Sequence, residues 1–596
     1  MCGVRHTVSE RVDVGWPTWR YFSRLICFRP WLWGPNLASI ILLIVLETVP
    51  GLLSRTFFDW LATDVHHLEP LWWVLALLAL STVGQVAFLV GCQLTNAPFI
   101  YTSAALLQHN MLRRLFQLPG ARALPHSSGE ALSRFRDDVE ETAIFLIPCN
   151  DLLAWSVFAL VGLVLMVSVS PTITLGVFVP LVAISGLLHL GRTRIEAYRR
   201  AVRGATAQVT AYLADVFSAP HTIQLASAEG GVIAGFRELN HVRLQTAIRD
   251  RLLDQVLQSV SRNTSNIGTG VILLLASRAM EAGTFTVGDF ALFVFYLGWV
   301  GEFTGMFGLV LAKYRQAGVS FGRMGELMRG SSPQVLVEHQ PVFEPGPQPR
   351  RENATPLDML EVSNLTYLHP ASGRGIRDVT LRVDRGQCVI VTGRVGAGKT
   401  TLLRALLGLL PPQAGVIRWN GYPVDDPASF LIPPRCAYTP QLPRLFSETL
   451  RNNLLLDLQP AESLEALQQA LRVSQFETDL GGLRDGLESE VGPRGVALSG
   501  GQLQRAAAAR MLVRQPELLV LDDLSSLDGP TEAAFWAGLR ADPSATILAA
   551  SHRRAALERA DRILVLQDGA VIDEGPLEVL LVRCEEMRRL WLQPSP

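Results

Sequence analysis

Residues 388–410 read CVIVT, then GRVGAGKTT, then LLRALLGLL. The first five form a short apolar run rich in β-branched residues, the pattern of a buried strand. Gly393-Arg394-Val395-Gly396-Ala397-Gly398-Lys399-Thr400-Thr401 follows, and then a run with the apolar spacing of a helix. G-x-x-x-x-G-K-T between a strand and a helix is the pattern of a phosphate-binding loop. Its glycines let backbone N–H groups turn inward around phosphate oxygens, and the helix start adds its positive dipole end. Lys399 is expected to reach the β- and γ-phosphates of ATP, and Thr400 to ligate Mg²⁺. Lys313 is the only other lysine; the chain otherwise uses arginine. A guanidinium fork is too bulky where a slim ammonium must enter a phosphate nest.

Such a loop needs an aspartate at the end of a second buried strand to hold the metal. Residues 517–523 read ELLVLDD. Leu518–Leu521 is the expected strand and Asp522 the magnesium aspartate.

The N-terminal half has a different solvent. Nearly half of the chain is hydrophobic and 18% is charged, against about 25% charged in soluble domains. Apolar runs cover Leu37–Leu53, Leu71–Gly91, Leu152–Val169, Ile173–Leu190 and Phe290–Leu311. Each is close to the roughly 20 residues that a helix needs to cross a bilayer. A shorter run, Ile267–Ser277, follows polar turns and completes six. Trp31, Trp33, Trp72 and Trp73 lie near run ends, as in an aromatic belt. Arginines gather before the first run and after the second, fourth and sixth, while the opposite loop carries Asp59, Asp64 and Glu69. That alternation places both termini in the cytoplasm. Segments 128–143 and 211–236 read as helical cytoplasmic connections able to carry force. Glu47, Asp151 and Glu302 are the few carboxylates within the spans and are candidates to touch substrate.

Other function classes are excluded. A net charge of -1 does not make a nucleic-acid surface. The seven scattered cysteines have neither metal-ligand spacing nor an even count. Residues 1–30 lack the apolar core and cleavage site of a secretory signal. Prolines and polar residues over 331–358 mark a domain boundary. The expected organisation is a cytoplasmic segment 1–30, a transmembrane domain 31–325, a linker 326–358 and a nucleotide-binding domain 359–596. The fold class is multi-domain: an all-α transmembrane six-helix bundle followed by an α/β P-loop NTPase domain.

Leu498-Ser499-Gly500-Gly501-Gln502-Leu-Gln-Arg505 lies about a hundred residues after the phosphate loop and just before the second strand. With these motifs the chain resembles the ABC transporter family, exporter type, over nearly its whole length. The resemblance implies two cassettes dimerising head to tail, so that Ser499, Gly500, Gly501 and Gln502 of one chain close over ATP held by the other. It further implies that Tyr367 stacks on adenine, and that Gln441 senses Mg²⁺ and the membrane domain. Val491–Gly495 (VGPRG) is similar to the exporter X-loop, Asp528 resembles the D-loop aspartate, and His552 stands near the γ-phosphate.

One position departs from the pattern. The family usually has glutamate after the magnesium aspartate, as general base on the attacking water; here that residue is Asp523. The D-loop, Asp523-Leu-Ser-Ser-Leu-Asp528, also looks one residue short. An aspartate marks a slow site in many heterodimeric exporters, whereas some bacterial exporters use aspartate outright. A heterodimer with a second half-transporter is favoured, and a homodimer stays possible. The expected activity is ATP-driven export of a small molecule, lipid or peptide across the cell (inner) membrane. A nucleotide-gated membrane ATPase or channel is the alternative.

Overall fold

The computed structural model describes residues 16–63, 69–118, 120, 128–179, 192–328, 331–343, 355–370, 372–456, 464–493, 495–524 and 526–592. The chain divides into two compact units, Met1–Arg113 with Pro125–Val342, and Arg114–Leu124 with Phe343–Pro596.

The first unit is built from helices. Pro30–Leu46 and Thr48–Thr63 meet at Glu47, and Glu69–Gln117, Leu146–Val169, Arg192–Ser218, Glu229–Glu281 and Val287–Leu327 follow. Among the described residues, Pro30–Ala62, Leu71–Gln117 and Gly129–Val169 are long and apolar enough to cross a membrane. Val287–Trp299 is a shorter apolar stretch. The expected run Ile173–Leu190 continues beyond residue 179 outside the described residues. The short run at 267–277 falls inside a helix of 53 residues. At 1.5 Å per residue that helix extends roughly 80 Å, against a hydrocarbon core of roughly 30 Å.

Both expected helical connections are helical. Segment 128–143 contains Ser128–Ser133, a π-helical turn at Arg134–Asp138, and Val139–Ile144. The turn holds a buried ionic network. Arg134 donates to the Arg323 carbonyl at 2.7 Å and to Glu130 at 3.0 Å, and Asp138 accepts from Ser320 Oγ at 3.0 Å and Arg323 Nη1 at 3.2 Å. Segment 211–236 breaks at Ala219 and again after Leu225. The leading helix, Thr18–Phe28, buries Tyr21, Phe22 and Leu25 against Phe145, Phe321 and Met324. Each such side chain stabilises by about 1.5–3 kcal/mol. Tyr21 also stacks on Phe321 with ring centroids 4.3 Å apart. The start of the linker is ordered: Pro333–Val337 forms a 3₁₀ turn, with Leu336 and Val337 in the same core.

The second unit carries the sheets. β1 (Met359–Leu368), β2 (Gly375–Asp384), β4 (Ala414–Trp419) and β5 (Tyr422–Pro423) form an antiparallel sheet in the order β2-β1-β4-β5. β3 (Cys388–Thr392), β6 (Cys436–Thr439), β9 (Leu518–Asp522), β10 (Thr546–Ala550), β11 (Arg562–Gln567) and β12 (Ala570–Gly575) form the central sheet, β12-β11-β3-β10-β9-β6. β7 (Glu448–Thr449) and β8 (Glu490–Val491) make a small ribbon. Every residue of β3, β9 and β10 is buried, as expected of parallel strands covered on both faces. β3, β10, β9 and β6 run parallel and side by side. Their C-terminal ends therefore lie along one edge, where open α/β sheets bind ligands. The loops leaving that edge start at Gly393, Ser551, Asp523 and Pro440, which gathers four distant motifs at one place.

Candidate functional site

The phosphate loop has the backbone its glycines predict. Gly393 and Gly398 lie at φ +149° and +106°, and a Cβ at Gly393 would stand 2.2 Å from the Leu566 carbonyl oxygen. Gly398 caps the helix Lys399–Leu406, so the free N–H groups of its first turn open onto the loop. Lys399 Nζ donates to the Gly393 carbonyl at 2.7 Å and to the Arg394 carbonyl at 3.1 Å. Burial lowers its pKa, and the nearby Asp523 and Asp522 charges oppose that shift.

Asp522 ends β9 wholly buried. One carboxylate oxygen accepts from Thr400 Oγ1 at 2.8 Å and the other from Tyr438 OH at 3.0 Å. Burial and the Asp522 charge push the Tyr438 phenol up to about 12, which keeps it a donor. Sequence reasoning missed Tyr438, although a phenol on β6 beside β9 is a readable signal. Among the described residues no three His, Cys, Asp or Glu side chains could hold a metal together. A cation here would take Thr400, Asp522, phosphate oxygens and water, the usual arrangement for Mg²⁺. The adjacent hydroxyl and carboxylate oxygens fit that role.

Asp523 occupies the left-handed region at φ +46°, tolerated by aspartate better than by most residues. Its amide donates to the Ala550 carbonyl at 3.0 Å. Its Oδ2 stops 3.8 Å from His552 Nδ1, too far for a hydrogen bond, and its buried Oδ1 has no protein partner. Burial raises its pKa, while His552, Lys399 and Arg553 pull it back.

The stretch Leu498–Arg505, the family signature, forms a second cluster. Ser499 caps the helix Gly500–Leu512 in a reciprocal capping box with Gln502. Gln502 and Arg505 both bind Asp479, the arginine in a two-pronged pair at 2.6 and 2.9 Å. Gln504, also unforeseen, is buried. It donates to the Gln441 carbonyl at 3.1 Å and accepts from Ser526 N at 3.0 Å, tying the Gln441 loop to the D-loop. Asp528 caps the helix Gly529–Arg540 by accepting from Thr531, which lowers its pKa. Gly500 and Gly501 lie against Ser526. Among the described residues, no hydrogen bond joins this cluster to residues 393–401 of the same chain. Arg494 and Ser525 lie outside the described residues.

One expectation needs correction. Tyr367 is 4% exposed, packed in the core between the sheets, and has no face to offer a base. The half-buried aromatic at this point is His369, edge-on to Tyr367 and 3.4 Å from Thr401 Oγ1. Arg394 turns its side chain away from the loop to Glu586, and Val395 is fully exposed at the loop tip. Ala397 is buried, and Thr401 continues the helix.

A family model described as ABC transporter matches residues 376–526, and one described as ABC transporter transmembrane region matches 37–301. The ATP-dependent lipid A-core flippase of Chromobacterium violaceum is 26% identical over 588 residues, covering 95% of each chain. The multidrug efflux ATP-binding/permease protein Rv0194 of Mycobacterium tuberculosis is 27% identical over 583 residues, covering 94% of this chain and 46% of that one. A bacterial Atm1-family ABC exporter with ATP bound shares the fold, with a TM-score of 0.74 at 21% identity, covering 94% of this chain and 99% of that one. With a transmembrane region and an ATPase cassette on one polypeptide, the chain belongs to the ABC transporter family as an exporter-type half-transporter that couples ATP hydrolysis to transport.

Proposed function

We propose that this half-transporter pairs with a second, different half-transporter to export a lipophilic or amphiphilic molecule, and that its own phosphate loop forms the slower of two ATP sites. The observation behind the slow site is the Asp523 carboxylate, held 3.8 Å short of His552. The substrate class follows the names of the relatives, a lipid flippase and a multidrug efflux protein. The arginine pattern supports an orientation with both termini and the cassette in the cytoplasm, and the inner membrane is proposed as the location.

In this reading residues 393–401 wrap the phosphates, and Lys399 leaves its two carbonyls to take the β- and γ-phosphate oxygens. Thr400 and Asp522 would hold Mg²⁺, which when bound would supply positive charge beside the phosphate oxygens. Tyr438 fixes the second Asp522 oxygen. Asp523 orients and deprotonates the attacking water, His552 donates to the γ-phosphate, and Gln441 reports their state to the membrane domain. The partner chain supplies the signature residues equivalent to Ser499–Gln502, and the signature of this chain completes the partner's site.

His369 is proposed to replace Tyr367 as the adenine platform. Stacking of a base on an aromatic side chain contributes about 1–3 kcal/mol, and a half-buried imidazole belongs at the lower end. His369→Ala should therefore weaken ATP binding about fivefold, while Tyr367→Phe leaves it unchanged; titration with a fluorescent ATP analogue checks both.

Export is tested by measuring phosphate release and planar-bilayer conductance on the purified Asp523→Glu chain, the form in which turnover is expected to be measurable. An exporter turns over ATP and passes no sustained current. Nucleotide-gated current without turnover contradicts the proposal.

A further inference from the structure

Arg394 sits in the phosphate loop but does not face it. Its Nε donates to Glu586 Oε1 at 2.6 Å and its Nη2 to Oε2 at 2.9 Å, a parallel fork-to-fork pair. Glu586 has a side chain only 7% exposed and stands on the last helix, Glu585–Leu592. Met587 is buried in the cassette core and Trp591 packs against it, so the helix has a fixed seat. Its other end meets a second loop of the site. Arg554 Nη2 donates to the Trp591 carbonyl at 3.0 Å, and its guanidinium lies 5.0 Å from the Trp591 ring centroid. Arg554 is two residues beyond His552. One helix thus holds the loop before Lys399 and the loop after His552.

The connection reaches the lysine through the backbone. The Arg394 carbonyl accepts from Lys399 Nζ at 3.1 Å, beside that of Gly393. A buried carboxylate without a partner is costly, so Glu586 holds the arginine firmly. The pair also keeps a second cation out of the mouth of the nest.

We infer that Glu586 is a positioning residue for the nucleotide site: through Arg394 it fixes the first half of the phosphate loop, so that the C-terminal helix sets the affinity for ATP. This rests on residues 393–401 being the nucleotide site. The resemblance that identifies the loop assigns no role to the helix after residue 584.

The test is binding of trinitrophenyl-ATP to the full chain in lipid nanodiscs, with melting temperatures measured without nucleotide. The Arg394 side chain is 57% exposed, which screens the pair. Glu586→Gln should therefore weaken binding by roughly two- to fivefold with little change in melting temperature. The reversed pair, Arg394→Glu with Glu586→Arg, should recover most of the loss. Glu585→Gln, which loses only an exposed pair with Arg589, should bind as wild type. Wild-type affinity in Glu586→Gln overturns the inference. So does a loss that follows a lowered melting temperature and is not recovered by the reversed pair. Lys399→Ala separates the two levels: if it binds as wild type, the nucleotide-site reading itself fails.

Discussion

In the Asp523→Glu background, where turnover is expected to be measurable, replacing Lys399 with alanine should lower ATP turnover by about 10²- to 10³-fold, the usual cost of removing a fixed charge donor from a transition state. Lys399 is already aimed at the mouth of the loop by two carbonyls, and burial makes its desolvation part of the folded state. Without it, Asp522 and Asp523 lose their nearest lysine, and two carboxylates face the phosphates with less balance. Lys399→Arg should be nearly as damaging, since the wider fork cannot occupy the space held by an ammonium between the Gly393 and Arg394 carbonyls. Phosphate release in nanodiscs checks both variants, with unchanged melting temperatures showing that the cassette remains folded. Turnover within about threefold of the Asp523→Glu parent would remove Lys399 from the chemistry.

Much of the site was legible because its spacing is dictated by the sheet. β3, β6, β9 and β10 each end in a motif, and parallel pairing alone brings Gly393, Gln441, Asp522 and His552 to one edge. Pairings between side chains far apart in the chain were not legible. Nothing in the local pattern says that Arg394 turns to Glu586, or that Gln504 joins the Gln441 carbonyl to Ser526. Tyr367 misled for a related reason. A tyrosine before the phosphate loop looks like a base platform, but strand alternation directs position 367 into the core. In the membrane unit, hydropathy marked the helices that are apolar along their length. It under-read Glu229–Glu281, where a short apolar stretch is embedded in a long polar helix.

Asp523→Glu carries the second large expectation. The aspartate leaves a 3.8 Å gap to His552 and a buried oxygen with no protein partner, so the carboxylate is present but set back. One further methylene extends it toward the edge where the γ-phosphate is expected. General-base assistance contributes about 10²- to 10⁴-fold when its geometry is right. Recovery of even part of it should raise turnover by at least about tenfold. The main-chain strain at φ +46° changes against this gain, since glutamate enters the left-handed region less readily than aspartate.

The measurement closest to the central claim is therefore ATP turnover of the wild-type chain, purified alone in lipid nanodiscs, beside Asp523→Glu. The account predicts a nearly inactive wild type and a variant at least about tenfold faster. Robust turnover by the wild type alone, with little change in the variant, would contradict it and leave a homodimer that uses aspartate as its base.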